Sequence, residues 1–316
     1  MAEYLVTGGA GFIGSHLVEH LVRAGKSVRV LDNFLTGKRE NLQPVAADIE
    51  LLEGDLRDPA QCRQAVNGIR YVLHLAALPS VPRSVANPQL AHDINVTGTL
   101  NLLVAARDAG CDRFVFSSSS SVYGDAPTLP KHEEMTPMPL SPYAAHKLMG
   151  EHYSRIFWRL YGLPTVSLRY FNVFGPRQDP KSEYAAVIPR FITAILGEQA
   201  PTIFGDGNQS RDFTYVANVV TANLAACAAT EAAFGEAFNI ACGDRVTLLE
   251  LVATINRALG KTILPRFAPP RPGDVLHSQA ANEKARRLLG WSPDIGFADG
   301  MARTIAWYQA QGVGTV

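Results

Sequence analysis

Disulfides and structural zinc have little to stand on in this chain. Its four cysteines, Cys62, Cys111, Cys227 and Cys242, are scattered through 316 residues without CxxC or Cys/His ligand spacing. They read as reduced thiols, and no metal site is indicated. Net charge is lacking too: 29 Lys and Arg balance 29 Asp and Glu with no basic tract, so a nucleic-acid partner has no electrostatic footprint. No apolar run approaches the roughly 18 residues that span a bilayer. Met1-Ala2-Glu3 leads directly into Tyr4-Leu5-Val6, leaving no room for the charged and apolar regions of a signal peptide. The expectation is a cytoplasmic protein with no membrane partner.

What is present is a rhythm. A hydrophobic content of 47% supports a large core, and short apolar runs alternate with helical stretches, as βαβ units of a parallel sheet require. Strands are expected at 3–7, 28–32, 49–53, 71–75, 113–118 and 165–170, and helices at 13–24, 59–67, 88–109 and 142–161. After about residue 172 Pro and Gly become frequent, and elements at 187–197, 216–230 and 247–259 are separated by irregular turns. The fold class read from this is α/β: a Rossmann-type doubly wound parallel sheet with a smaller, interleaved lobe. The sheet domain is assigned 1–172 with later returns near 210–240, and the lobe 173–316.

Gly8, Gly11 and Gly14 follow the first strand and open the first helix, the context of a dinucleotide fingerprint. Glycines there let backbone N–H groups approach a pyrophosphate that the helix N-terminus favours. Asp32, ending the second strand, is suited to accept both hydroxyls of an adenosine ribose and to repel a 2′-phosphate, which favours NAD over NADP; Lys38 and Arg39 close behind leave the choice open. Asp55 and Leu56 after strand three are placed to flank adenine. Leu75, Ala76 and Ala77 after strand four are small or apolar where a cofactor backbone must pass.

Tyr143 and Lys147 stand one helical turn apart in Ser141-Pro142-Tyr143-Ala144-Ala145-His146-Lys147. A free phenol near pKa 10 is useless as a base at neutral pH. A neighbouring ammonium, with the positive charge of an oxidised nicotinamide, would favour the tyrosinate.

Together these motifs resemble the extended short-chain dehydrogenase/reductases and, within them, the UDP-sugar 4-epimerases. The resemblance runs over nearly the whole chain through residues 8–16, His74-Leu75-Ala76-Ala77, Asn95-Val96-Thr97-Gly98-Thr99, Phe116-Ser117-Ser118-Ser119, residues 169–176, Arg211-Asp212-Phe213 and Arg271-Pro272-Gly273-Asp274. It implies that Ser119 hydrogen-bonds the sugar 4-hydroxyl, with Ser121 a candidate to share that role. Tyr143 would take the proton, and Lys147 would tune Tyr143 and hold the nicotinamide ribose. It further implies cofactor contacts at Phe12, Ile13, Asn33, Asn95, Ser117, Ser118 and Tyr170. Substrate contacts are implied at Ser80, Asn172, Ala186, Val187, Arg211, Arg271 and Asp274. The two arginines would neutralise a pyrophosphate, and Asp274 would receive the uridine ribose.

Ser278, four positions past Asp274, resembles a gatekeeper whose small size admits a 2-acetamido group. The expected reaction is therefore reversible inversion at C4 of UDP-GlcNAc and UDP-GalNAc, extending to UDP-Glc and UDP-Gal, with a homodimer built on the helices near 88–109 and 142–161. Three other readings stand beside it. A 4,6-dehydratase lacks its Asp-Glu pair after the serine run, where Val122-Tyr123-Gly124 is found. A UDP-glucuronate epimerase or decarboxylase would use Arg83 or Arg177 as an extra cation. A non-catalytic NAD sensor would need neither Tyr143 nor Ser119.

Overall fold

The computed structural model describes residues 2–180, 186–270 and 276–312. Seven strands, β1 (Tyr4–Thr7), β2 (Val28–Asp32), β3 (Ile49–Glu53), β4 (Tyr71–His74), β5 (Arg113–Ser119), β6 (Thr165–Tyr170) and β7 (Glu236–Ile240), form one sheet in the order β3-β2-β1-β4-β5-β6-β7. Every pairing within it is parallel. β1, β2 and β6 are buried at each residue, because a parallel sheet covered on both faces has no wet side. One face packs α1 (Phe12–Arg23) and α6 (Val216–Ala228) through Leu17, Val18, Val219 and Ala222. The other packs α2 (Pro59–Val66), α3 (Gly98–Asp108) and α4 (Pro142–Tyr161) through Cys62, Leu102, Leu103 and Phe157. The order reverses between β1 and β4, and this switch point is where open α/β sheets leave a crevice at the carboxyl ends of their strands.

Past β6 a separate apolar cluster joins α5 (Val187–Leu196), α7 (Leu248–Leu259) and α8 (Phe297–Ala310), with Phe191, Leu251 and Ile305 among its members. Three two-stranded pairings tie this region together: 173–174 with 214–215, 210–211 with 246–247, and 202–204 with 266–268. The chain also returns to the main sheet through α6 and β7.

α4 shows how local sequence sets an element. The Ser141 side chain accepts from Ala144 N, Pro142 sits where its missing N–H costs nothing, and Gly162 ends the helix at φ 70. The single helix expected over 88–109 is a correction. It is an α-helical turn at Pro88–His92, a π-helical segment at Asp93–Thr97 and then α3. The Asn95 amide accepts from Leu78 N at 2.7 Å, and the Thr99 hydroxyl donates to the Asn95 carbonyl at 2.7 Å; the wider turn accompanies these bonds. Among the described residues no helix is long and apolar enough to cross a membrane.

Candidate active site

The turn after β1 is closed by contacts only glycine allows. Gly8 has φ 69, and a Cβ there would meet Ala76 N at 2.7 Å; a Cβ on Gly14 would lie 2.1 Å from the Gly8 carbonyl oxygen. The backbone of this turn therefore lines a cleft of about 310 Å³ directly, at the N-terminus of α1. Phe12 and Ile13 line it from α1, Asp32 and Asn33 from the end of β2, Asp55 and Leu56 from beyond β3, and Leu75, Ala76 and Ala77 from beyond β4. Ser117, Ser118, Tyr143, Lys147 and Tyr170 close the far end.

Asp32 does two jobs in this wall. Its Oδ2 accepts from Ala10 N at 2.9 Å and its Oδ1 from Phe34 N at 2.8 Å, so the carboxylate also pins the glycine turn. Burial pushes its pKa up, against the pull of those two N–H groups and of Arg39. Asp55 is held by Arg57, at 2.8 and 3.0 Å, and by Asn33 at 2.9 Å; chiefly through Arg57 its pKa falls to about 2. Its carboxylate thus braces the rim of the cleft.

At the other end, Lys147 is buried and its Nζ donates to the Ser117 carbonyl at 2.6 Å. Burial draws its pKa down to about 8, while the charge of Glu151 opposes the fall. Burial pushes the Tyr143 phenol up to about 12, against the pull of the neighbouring Ser119 hydroxyl. The expected tuning by Lys147 is therefore not present in the protein alone: the ammonium is turned to Ser117 and lies 5.8 Å from the Tyr143 ring centre. The Ser121 hydroxyl donates to Ser119 Oγ at 2.9 Å, one hydroxyl further from Tyr143.

Two of the expected cofactor residues have side chains with partners within the chain. The Ser118 hydroxyl donates to the buried Glu151 carboxylate, so its side chain belongs to the protein interior although the residue borders the cleft. The Asn95 amide holds both polar groups of Leu78, at 2.7 and 3.3 Å, and is no cleft-lining residue. Tyr170 lines the cleft with its hydroxyl anchored to Ser117 Oγ at 3.0 Å and to Asn223 at 2.9 Å.

The expected substrate residues converge in part. Asn172, at φ 33, donates to the Asp212 carbonyl and to Ser278 Oγ, both at 3.1 Å. Ser278 N donates to the Ser210 carbonyl at 3.0 Å, and Arg211 Nη1 donates to the carbonyls of Ser210 and Leu276 at 3.0 Å. Ala186 and Val187 begin α5. Ser80 caps the helix Val81–Ala86, its hydroxyl accepting from Arg83 N at 3.2 Å. Arg271 and Asp274 lie outside the described residues.

Sequence reasoning missed several members. Asp212 is buried and accepts from the backbone N–H groups of Cys242, Gly243 and Ala280 at 3.0 Å, which fastens three segments beneath Arg211; burial lifts its pKa to about 7. Thr36, Gly37, Asn41 and Asp179 line the dinucleotide cleft, with Lys38 paired to Asp179 at 2.8 Å. Arg177, a candidate cation for a sugar carboxylate by its sequence position, is instead ion-paired to Glu19 on α1. Asp212, Asp179 and Arg177 gave a weak signal because each acts on segments far away in the chain.

A family model described as "NAD dependent epimerase/dehydratase family" matches residues 4–241. A protein named putative UDP-glucose 4-epimerase, from Methanocaldococcus jannaschii, is 42% identical over 306 residues, covering 96% of this chain and 97% of that one. Among solved structures, a UDP-N-acetylglucosamine 4-epimerase from Methanobrevibacter ruminantium M1, in complex with UDP-N-acetylmuramic acid, superposes with a TM-score of 0.93 at 40% identity, covering 98% of this chain and 100% of that one. The UDP-glucose 4-epimerase of Thermus thermophilus in complex with NAD gives 0.88 at 39% identity, with coverage of 99% and 100%.

Proposed function

The chain belongs to the NAD dependent epimerase/dehydratase family, and from that premise we propose that it inverts C4 of a UDP-hexose with NAD held in the cleft. The observation that carries the reading is the gathering of Ser119, Tyr143 and the buried Lys147 ammonium at the carboxyl end of β5, beside a glycine-lined dinucleotide cleft that Tyr143 and Lys147 line. The cleft fits that cofactor: Gly8, Gly11 and Gly14 line it at the N-terminus of α1, where a Cβ at Gly8 or Gly14 would collide with the backbone that shapes the turn, and Asp32 stands at the end of β2 for the adenosine ribose. When bound, NAD supplies the reversible acceptor for the hydrogen on C4.

The residues of the chain do the rest. Ser119 donates to the O4 oxygen and fixes it beside Tyr143, whose oxygen removes the hydroxyl proton as the sugar becomes a 4-keto compound. The keto sugar turns its other face, and Tyr143 returns the proton to the oxygen of the epimer. No net oxidation occurs. Asn172 and Arg211 bind the diphosphate, joined by Arg271, while Ala186 and Val187 flank the uridine and Asp274 receives its ribose. In this reading residues 1–172 serve the dinucleotide and 173–316 mainly the sugar nucleotide.

For the sugar, we favour UDP-GlcNAc and UDP-GalNAc together with their glucose counterparts. Ser278 is small and its hydroxyl is occupied by Asn172, leaving space where a bulky residue would close the pocket to an acetamido group. Purified protein incubated without added NAD should interconvert UDP-GlcNAc and UDP-GalNAc. Ser278→Tyr should lose that turnover at least about tenfold while retaining UDP-glucose. Conversion of UDP-glucose alone by the unaltered chain would refute the preference, and conversion of UDP-glucuronate would favour the carboxylate-bearing substrate.

We also assign a homodimer to the outer face of α4. Met149, Ile156 and Leu160 recur there at helical spacing, with Leu160 70% exposed, and such an apolar stripe on a long helix is suited to a symmetric partner. Sedimentation at the mass of a single chain would rule it out.

A further inference from the structure

Three consecutive serines at the end of β5 meet three different partners. The Ser117 carbonyl accepts from Lys147 at 2.6 Å, the Ser118 hydroxyl donates to Glu151, and Ser119 meets Tyr143. Glu151 stands one turn beyond Lys147 on α4. Its carboxylate also receives a two-pronged grip from Arg169 on β6, Nε at 2.9 Å and Nη2 at 2.7 Å. Arg169 Nη1 donates to the Tyr123 hydroxyl at 2.8 Å, and Tyr123 donates in turn to Asn239 at 2.7 Å. The side chains of both ions are nearly dry, 5% exposed for Arg169 and 7% for Glu151.

A buried ion pair is weak evidence for stability, since apolar side chains of similar volume usually serve as well. The position of this one gives it another use. We propose that Glu151, braced by Arg169, is a positioning residue for the inversion: it fixes the end of β5 through Ser118 and places a carboxylate one turn beyond Lys147 on the same face of α4. The proposal rests on the epimerase reading above.

The surroundings of Lys147 leave the balancing of its charge to Glu151. Tyr143 faces it on α4, the Ser117 carbonyl and the Phe116 ring on β5, and His74 on β4. His74 is clasped between Thr7 and Thr99 at 2.8 Å on each side, and burial holds its pKa down at about 3, so it stays neutral. Glu151 is the group whose charge raises the Lys147 pKa against burial. Glu151 itself faces the Arg169 guanidinium, the Ser118 hydroxyl and Lys147.

The test compares Glu151→Gln, Glu151→Asp and Ser118→Ala in the full chain with its dinucleotide. The readouts are kcat and KM against pH, and the Lys147 protonation midpoint by carbon NMR of labelled lysine, which does not depend on turnover. Glu151→Gln should lower kcat about tenfold or more with KM within about twofold, and should move the Lys147 midpoint down by about one pH unit. Glu151→Asp should keep the wild-type midpoint, and Ser118→Ala should cost about fivefold in kcat with the midpoint unmoved. An unmoved midpoint in Glu151→Gln, or wild-type kcat in Ser118→Ala, overturns the proposal; the serine variant decides if Glu151→Gln does not fold. If the unaltered chain converts neither UDP-glucose nor UDP-GlcNAc, the epimerase reading fails instead, and the NMR midpoints decide the role of Glu151.

Discussion

Tyr143 cannot serve as a base with the acidity it has in the protein alone. Burial sets its pKa at about 12, whereas a base at neutral pH needs a value some four to five units lower, about 6 kcal/mol at 1.36 kcal/mol per unit. Lys147 offers part of that. With its Nζ 5.8 Å from the ring centre and an effective dielectric constant near 20, one positive charge is worth about 2.9 kcal/mol, or about two units. In the protein alone that help never arrives, because Lys147 gives up its own proton near pH 8, well before Tyr143 ionises. A second charge of similar worth, brought by an oxidised nicotinamide, changes the order: once the tyrosinate forms first, it holds the Lys147 proton in place. Together the two charges bring Tyr143 to about pH 8. The sign follows for an acid whose charged form is favoured: turnover should rise with pH through that value. The assay is tyrosinate absorbance against pH, taken as the difference between the unaltered chain and Tyr143→Phe. Three preparations are compared: without dinucleotide, with NAD and with NADH. Midpoints above about 11, near 8 and again above about 11 are expected, in that order. A common midpoint in all three would refute the reasoning.

Gly14→Ala should abolish copurification of NAD and destabilise the fold by about 1–3 kcal/mol, read by nucleotide extraction and thermal melting, because its Cβ would lie 2.1 Å from a backbone oxygen that cannot retreat. Ser119→Ala should lower kcat about a hundredfold and Ser121→Ala less than about threefold, since Ser119 adjoins Tyr143 and the Ser121 hydroxyl is turned to Ser119. Equal effects of the two substitutions would return the role of Ser121 to contention.

The central sheet was legible because parallel strands buried on both faces are continuous apolar runs. Val28–Asp32 and Thr165–Tyr170 lie where those runs place them, and the Ser141-Pro142 start of α4 could be read from its cap. The π-helical segment at Asp93–Thr97 could not, because its distinguishing bonds join Asn95 to Leu78 across the fold. The pairings of 202–204 with 266–268 and of 210–211 with 246–247 were equally hidden, being short strands whose partners lie far away in the chain. Chemistry followed the same divide. Gly8, Gly14 and Asp32 act through the local strand–turn–helix, whereas Asp212 and the Arg177–Glu19 pair act between segments that only the folded chain brings together.

Ser118 is the case in which a local signal existed and was outweighed by resemblance. Side chains alternate along a strand. Phe114 and Phe116 belong to the core under α2, α3 and α4, while Val115 belongs to the core under α1 and α6. Period two therefore sends Ser118 to the side of Phe116, toward α4, where it meets Glu151; it sends Ser117 to the opposite side, where its hydroxyl meets Tyr170 and the Tyr170 hydroxyl meets Asn223 of α6. Ser119 ends the strand, and its hydroxyl oxygen caps the turn Ser120–Tyr123 by accepting from Ser121 N and Ser121 Oγ while the side chain adjoins Tyr143. A run of serines that reads as one polar loop is thus three separate attachments, to the two faces of the sheet and to its reactive edge. Helical spacing adds the fourth attachment: Lys147 and Glu151, four residues apart, project from the one face of α4 that covers the strand end, so the ammonium meets the Ser117 carbonyl where the carboxylate meets the Ser118 hydroxyl.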